Sequence, residues 1–215
     1  IALGARSEGM MDEWADYVNA PGSVAPPPSS SAPAATPPPG LPGSIRLPGY
    51  DPEIGLALAK LQDTRQRTNG FLEGLSETDL DWTPAPGCNS IATVLYHLAV
   101  IEADWLYTEI LETAYPPEAA ALFPRDVRGA DDLLSAAKGE TLAQLMARLD
   151  AVRGLFLDAL RGMSAAEFRR VRSLPDYDVT PEYVLHHLMQ HEAEHRGEMG
   201  VLRVLAAGRP SADGA

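Results

Sequence analysis

TPEYVLHHLMQHEAEHRGEMGVLR, residues 180–203, reads as one helix and carries four of the chain's five histidines. Thr180 is an N-cap residue, Pro181 suits the first helical position, and Glu182 favours the positive end of the helix. At 100° per residue, Val184, Leu188, His191, His195 and Leu202 share one narrow sector. His187 and Glu198 lie at its edge, and His186 points away. A lone histidine on an apolar face is ordinarily a hydrogen-bonded core residue. Two on one face, a turn apart, must each satisfy two ring nitrogens away from water. A shared metal ion satisfies one nitrogen of each, because i and i+4 side chains lie about 5–6 Å apart. A catalytic site of this kind takes about three protein ligands. The remaining histidine, His97, is the candidate for the third.

His97 falls on a second helical pattern. Asn89 or Ser90 caps it, Val94, Leu98, Ile101 and Trp105 form its inner face with His97, and it is expected to run to about Glu112. A first helix starts at Asp51-Pro52, carries Ile54, Leu58, Leu61, Thr68 and Leu72, and is expected to end near Leu75. A third follows a Thr141/Gln144 capping box with Leu142, Leu145, Leu149, Val152, Phe156 and Leu160 inward. The segments between read as loops. SETDLDWTPAPGCNS, the connection from Tyr115 with a short helix near Leu133, and PDYDV are the main ones; Ser164 to Arg172 reads as a further helical turn. Four amphipathic helices without strand signals predict an all-α four-helix bundle over residues 51–208, with a short tail at 209–215.

Residues 1–50 differ. Ten of the 19 prolines lie between Pro21 and Pro48, among Ser, Ala and Gly, a composition that predicts a flexible arm. Within it, Met10, Met11, Trp14 and Tyr17 recur at a helix-like spacing, which reads as a sticky disordered tail or, alternatively, a short docking helix. A net charge of -13 argues against nucleic acid or an anionic membrane as partner. No apolar run approaches the roughly 18–20 residues of a membrane span. One cysteine, Cys88, and no secretory signal predict a reducing, cytoplasmic setting.

The pair HLAVIEADWL and HHLMQHEAEHRGEM resembles the DinB-like (YfiT-like) superfamily of metal-binding four-helix bundles. Its pattern is a histidine near the start of the second helix and a late HxxxHRGx element. These positions are His97, then His191, His195, Arg196 and Gly197, and Glu198 stands where many relatives carry Gln. The likeness covers about Asp51 to Gly208. It implies one divalent ion per chain, zinc or nickel, held by His97, His191 and His195, and frequently a homodimer. It also implies, for some members, a thiol-dependent S-transferase working with a low-molecular-weight thiol and an electrophilic small molecule. A structural ion without turnover, and a hydrolase using metal-bound hydroxide, are the alternatives.

Glu198 is the one candidate beyond the ligands, as a residue that orients a ligand or as a base. Glu102 and Asp104 flank the His97 face, and Asp104 reads as exposed. His187 reads as a neighbour of the ligands, and Cys88 as an incidental loop cysteine. Trp105 reads as core and Tyr96 as surface; Arg196-Gly197 reads as close helix packing with a carboxylate contact.

Overall fold

A computed structural model describes residues 46–129 and 132–209. The expected arm over 1–50, with its Met10–Tyr17 segment, lies outside them apart from its last five residues, as does the tail beyond Arg209. Four long helices build the fold: α1 (Pro52–Leu72), α3 (Ile91–Asp104), α5 (Leu142–Leu160) and α7 (Pro181–Ala207). Short helices α2 (Glu77–Leu80), α4 (Pro117–Ala120) and α6 (Ala165–Phe168) lie between them. Each long helix has a side-chain N-cap, from Asp51, Ser90, Thr141 and Thr180. At Thr141 both bonds of the capping box form.

Side-chain pairs fix the helix directions. Arg65 meets Glu192 and Arg203 meets the Phe71 carbonyl, so α1 and α7 run parallel. His97 meets His191 and Asn89 meets Glu198, so α3 and α7 run antiparallel. Arg148 lies over the Tyr96 ring and Arg153 meets Glu102, so α5 runs parallel to α3.

The core is layered along the bundle axis. One apolar layer holds Leu72, Val94, Leu95, Leu145, Leu149, Met199 and Leu202. The other holds Ile54, Leu58, Leu61, Leu106, Phe156, Leu160, Val184 and Leu188. Full burial of each such side chain is worth about 1.5–3 kcal/mol. Between the layers, at the waist, come Arg65, Glu102, Arg153 and Glu192, all buried, and the inward histidines. The chain before α1 folds back so that the Leu47 N–H donates to the Gly55 carbonyl at 3.0 Å. A Cβ at Gly55 would lie 2.6 Å from the Leu47 oxygen, so this return requires glycine.

Several local expectations are corrected. α1 ends at Leu72, three residues early. α3 gives way at Trp105–Ile110 to a π-helical turn, in which the Leu111 N–H donates to the Leu106 carbonyl. Glu112 then takes a left-handed conformation at φ 54°, which no helix can continue. Within the expected Ser76–Ser90 loop, Ser76 caps the α2 turn. Near Leu133 there is an isolated bridge, Arg128 to Leu134, where a short helix was expected. PDYDV belongs to a two-stranded antiparallel pair, β1 (Arg172–Ser173) and β2 (Asp178–Val179). Two-residue strands are too short for alternation to register in a sequence.

Candidate metal centre

α3 and α7 place His97, His191 and His195 together. His97 Nε2 lies 3.1 Å from His191 Nε2, and His195 Nε2 lies 3.1 Å from the same atom. All three ligand atoms fall within 4.8 Å of one another, a grouping that could hold a metal ion. Nitrogens sharing a tetrahedral ion at about 2.0–2.1 Å stand roughly 3.3 Å apart, close to these separations.

The proton inventory favours a cation over hydrogen bonds. Glu198 Oε2 lies 2.7 Å from His195 Nδ1 and accepts its proton, which leaves His195 Nε2 with a lone pair. His191 Nε2 faces two ring nitrogens but has one proton or one lone pair to give, so at most one 3.1 Å contact is a good hydrogen bond. Burial pushes His97 down to about 4, with His195 and Arg128 adding to it. Burial and the neighbouring histidines lower His191 further. Both rings are neutral at physiological pH, the form that binds metal. Three imidazole donors gathered within 4.8 Å of one another fit a divalent ion.

The surroundings are ordered around them. Asn89 Nδ2 donates to Glu198 Oε1 at 2.9 Å, so both carboxylate oxygens are engaged. His195 and the Asn89 amide together hold the Glu198 carboxyl below the usual carboxylate range, His195 being the larger influence. His187 stacks on Trp105, ring centres 4.1 Å apart, and lies 5.9 Å from His191. His186 is exposed.

Directly behind the histidines, Arg65 binds Glu102 at 2.7 Å and Glu192 at 2.9 Å. Arg153 binds the same two carboxylates, and also the Leu61 carbonyl. Burial alone would lift the Glu102 carboxyl, but Arg153 and Arg65 outweigh it and hold it low. Glu102 is thus committed to arginines and not to a metal.

Three other expectations change. Asp104 is buried rather than exposed, hydrogen-bonded to Tyr115, and burial pushes it up to about 6. Tyr96 is buried, its hydroxyl tied to the Arg125 backbone. Arg196 donates to the Thr64 carbonyl and the Thr68 hydroxyl rather than to a carboxylate, and a Cβ at Gly197 would touch nothing within 4 Å.

Sequence reasoning passed over Arg65, Arg153 and Glu192, although each interrupts an apolar stripe, and that interruption was the available signal. It also passed over Glu109, which accepts from Tyr177 at 2.7 Å and which burial, with Asp104 adding to it, pushes up to about 7.

A helical bundle with a histidine cluster between facing helices defines the class. The DinB superfamily model matches residues 60–199, and the chain belongs to the DinB superfamily, which is metal-binding. A solved structure, a conserved protein from Enterococcus faecalis, superposes with a TM-score of 0.53 at 17% identity, over 72% of this chain and 96% of that one. At that identity it supports the fold alone. No curated protein matches the chain.

Proposed function

We propose that this protein is a metal-dependent thiol S-transferase, cytoplasmic and homodimeric, with one divalent ion, zinc or nickel, held by His97, His191 and His195. The observation that carries the reading is the convergence of three Nε2 atoms, two pairs of them at 3.1 Å. The resemblance to thiol-dependent relatives supports the reaction. A three-histidine site leaves a position for an exogenous ligand, and zinc suits soft thiolate. When bound, the ion supplies Lewis acidity, which makes a thiol acidic enough to be nucleophilic at neutral pH.

This chain's residues do the rest. Glu198 keeps the His195 proton on Nδ1 and aims Nε2 inward; with both oxygens engaged, it orients rather than acts as base. The Trp105–His187 stack covers the flank of His191. Behind it, the arginine–glutamate cluster holds α3 against α7. In the reaction a sulfur–carbon bond forms, the bond from carbon to its leaving group breaks, and the thiol proton departs with that group.

The test is elemental analysis of protein purified without a metal-affinity tag, followed by thiol conjugation with an electrophile that fluoresces on reaction. Bacillithiol, mycothiol, glutathione and cysteine are offered in turn. Acceleration with one thiol, abolished by chelation and in His97→Ala, is expected. Rates equal to the protein-free rates for all four would refute the transferase.

A further inference from the structure

A cavity of about 560 Å³ opens between the Thr83–Ser90 loop and the segments around Arg125 and Ser135–Lys138. That volume is in the range of small-molecule sites, about 300–1,000 Å³. No histidine lines it, but two of its lining residues lead to the histidine site. Thr93 lines it and precedes His97 by one helical turn on α3. Asn89 lines it and, through Glu198, is two hydrogen bonds from His195.

The lining has an unusual charge for this protein. The chain carries -13 overall, yet among the described residues the cavity wall includes Arg125 and Lys138 and no Asp or Glu. Arg125 is already paired with Glu140, which Arg148 binds too at 2.7 Å. Asp81, another nearby carboxylate, accepts from the Gly139 N–H at 2.9 Å, and Glu198 is engaged by Asn89 and His195. Lys138 makes no ion pair among the described residues. It is one of only two lysines in the chain, the other being Lys60 on α1, and both are exposed. Besides this cation the wall offers the Ser90, Thr93 and Ser135 side chains, the Asn89 side chain and apolar surface from Pro86 and Leu134. An uncompensated ammonium with hydroxyl and amide groups around it matches a carboxylate on a small polar body.

We propose that this cavity is a binding site for a small carboxylate-bearing molecule, with Lys138 as its anion receptor and Asn89 as the wall shared with the histidine site. The site deepens the transferase reading by giving one of its two substrates a carboxylate, but it does not depend on a bound metal. A ligand seated there meets Thr93, one helical turn before His97, and Asn89, the partner of Glu198, while its acid stays on Lys138. The carboxylate belongs either to the thiol or to the electrophile, and these sources give different affinities.

The experiment is equilibrium dialysis of the full-length protein, as purified and after chelation, with three probes. Succinate is a bare dicarboxylate, S-methylglutathione is a thiol-derived dicarboxylate without a free sulfhydryl, and succinamide is the uncharged control. Saturable binding of a dicarboxylate, not of succinamide, is expected, weakened at least about tenfold in Lys138→Glu and unchanged in Lys60→Glu. Preference for S-methylglutathione assigns the cavity to the thiol, and preference for succinate to the electrophile. Binding that persists in Lys138→Glu but disappears in His97→Ala would move the acid to the histidines and overturn the assignment, leaving the transferase reading intact. No binding of either acid, or equal binding of succinamide, also overturns it. Dicarboxylate binding that survives chelation is expected, since the anion rests on Lys138 and not on the histidines; binding lost with the metal would overturn the assignment.

Discussion

Two buried polar clusters share the waist of the bundle, and they are built on opposite terms. The arginine–glutamate cluster contains two cations and two anions, and each guanidinium finds carboxylates or carbonyls on other helices. The histidine cluster gathers imidazole rings whose Nε2 atoms face one another, and His97 Nδ1 is buried without a partner among the described residues. Glu192 belongs to the first cluster and its neighbour His191 to the second, so one helix turn serves both. A closed set of charges is complete without a ligand; converging lone pairs are not. The first therefore reads as scaffold and the second as site.

The largest effect that separates them is on metal content. His97→Ala, His191→Ala and His195→Ala are each expected to abolish stoichiometric metal, since each removes one of three donors, while exposed His186→Ala keeps it. Elemental analysis after dialysis decides. Full metal in His195→Ala would break the comparison, because the histidines would then be a mere packing feature.

Next in size is damage to the scaffold. Glu102→Ala leaves two buried guanidinium groups short of one carboxylate, which costs about 3–5 kcal/mol. Chemical denaturation is the measurement. A loss below about 1 kcal/mol would mean that water replaces the carboxylate and that the cluster is not closed.

A third expectation concerns acids that sit near neither cluster's cations. Glu109 is held at about 7, above its ordinary value near 4.5, chiefly by burial. A raised carboxyl binds more protons folded than unfolded between those two values. Its stabilising contribution is complete below about 4.5 and is lost as pH rises through 7. Glu109→Gln keeps an acceptor for Tyr177 and removes the titration. It is expected to stabilise the protein at pH 8 by up to about 3 kcal/mol, with little change at pH 4. Parallel pH profiles of melting temperature for the two proteins would show the carboxyl to be unperturbed.

Glu198→Gln probes the junction of the two clusters' chemistry. The amide still accepts from His195 Nδ1 but carries no charge, so metal affinity should fall about 10–100-fold without loss of the fold. Competition with a chelator measures it. An unchanged affinity would show that the hydrogen bond, not the charge, positions the ring.

How much of this was legible in the sequence differs between the clusters for a physical reason. His191 and His195 share one helix, so a helical wheel displays their convergence, and His97 followed as the remaining inward histidine. The four helices were equally legible, each from its apolar stripe and its cap. Arg65, Glu102, Arg153 and Glu192 come from four helices, so their pairing depends on directions and registers that no single stripe encodes. The π-helical turn was also hidden, because a wheel drawn at 100° assumes the regular helix that Trp105–Ile110 abandons. Asp104, the last residue before that turn, is buried with Tyr115 of the following loop bonded to it, a partner its own helical wheel does not show.

The smallest expected effect concerns Gly197, two residues past His195 in the HRG element. Close packing would explain a glycine there, but a Cβ at this position meets nothing within 4 Å, and no left-handed backbone is required. Inside a helix, glycine costs about 0.5–1 kcal/mol relative to alanine through backbone entropy. Gly197→Ala should therefore raise stability by about that amount and leave metal content unchanged, as thermal melts and elemental analysis would show. The result sharpens the contrast between scaffold and site. If the variant is more stable and retains metal but loses thiol conjugation, the open space beside Gly197 is used by something that approaches the histidines. If it is less stable, a second chain packs against this face of α7, next to the exposed Val201, Val204 and Leu205, and the glycine belongs to that interface.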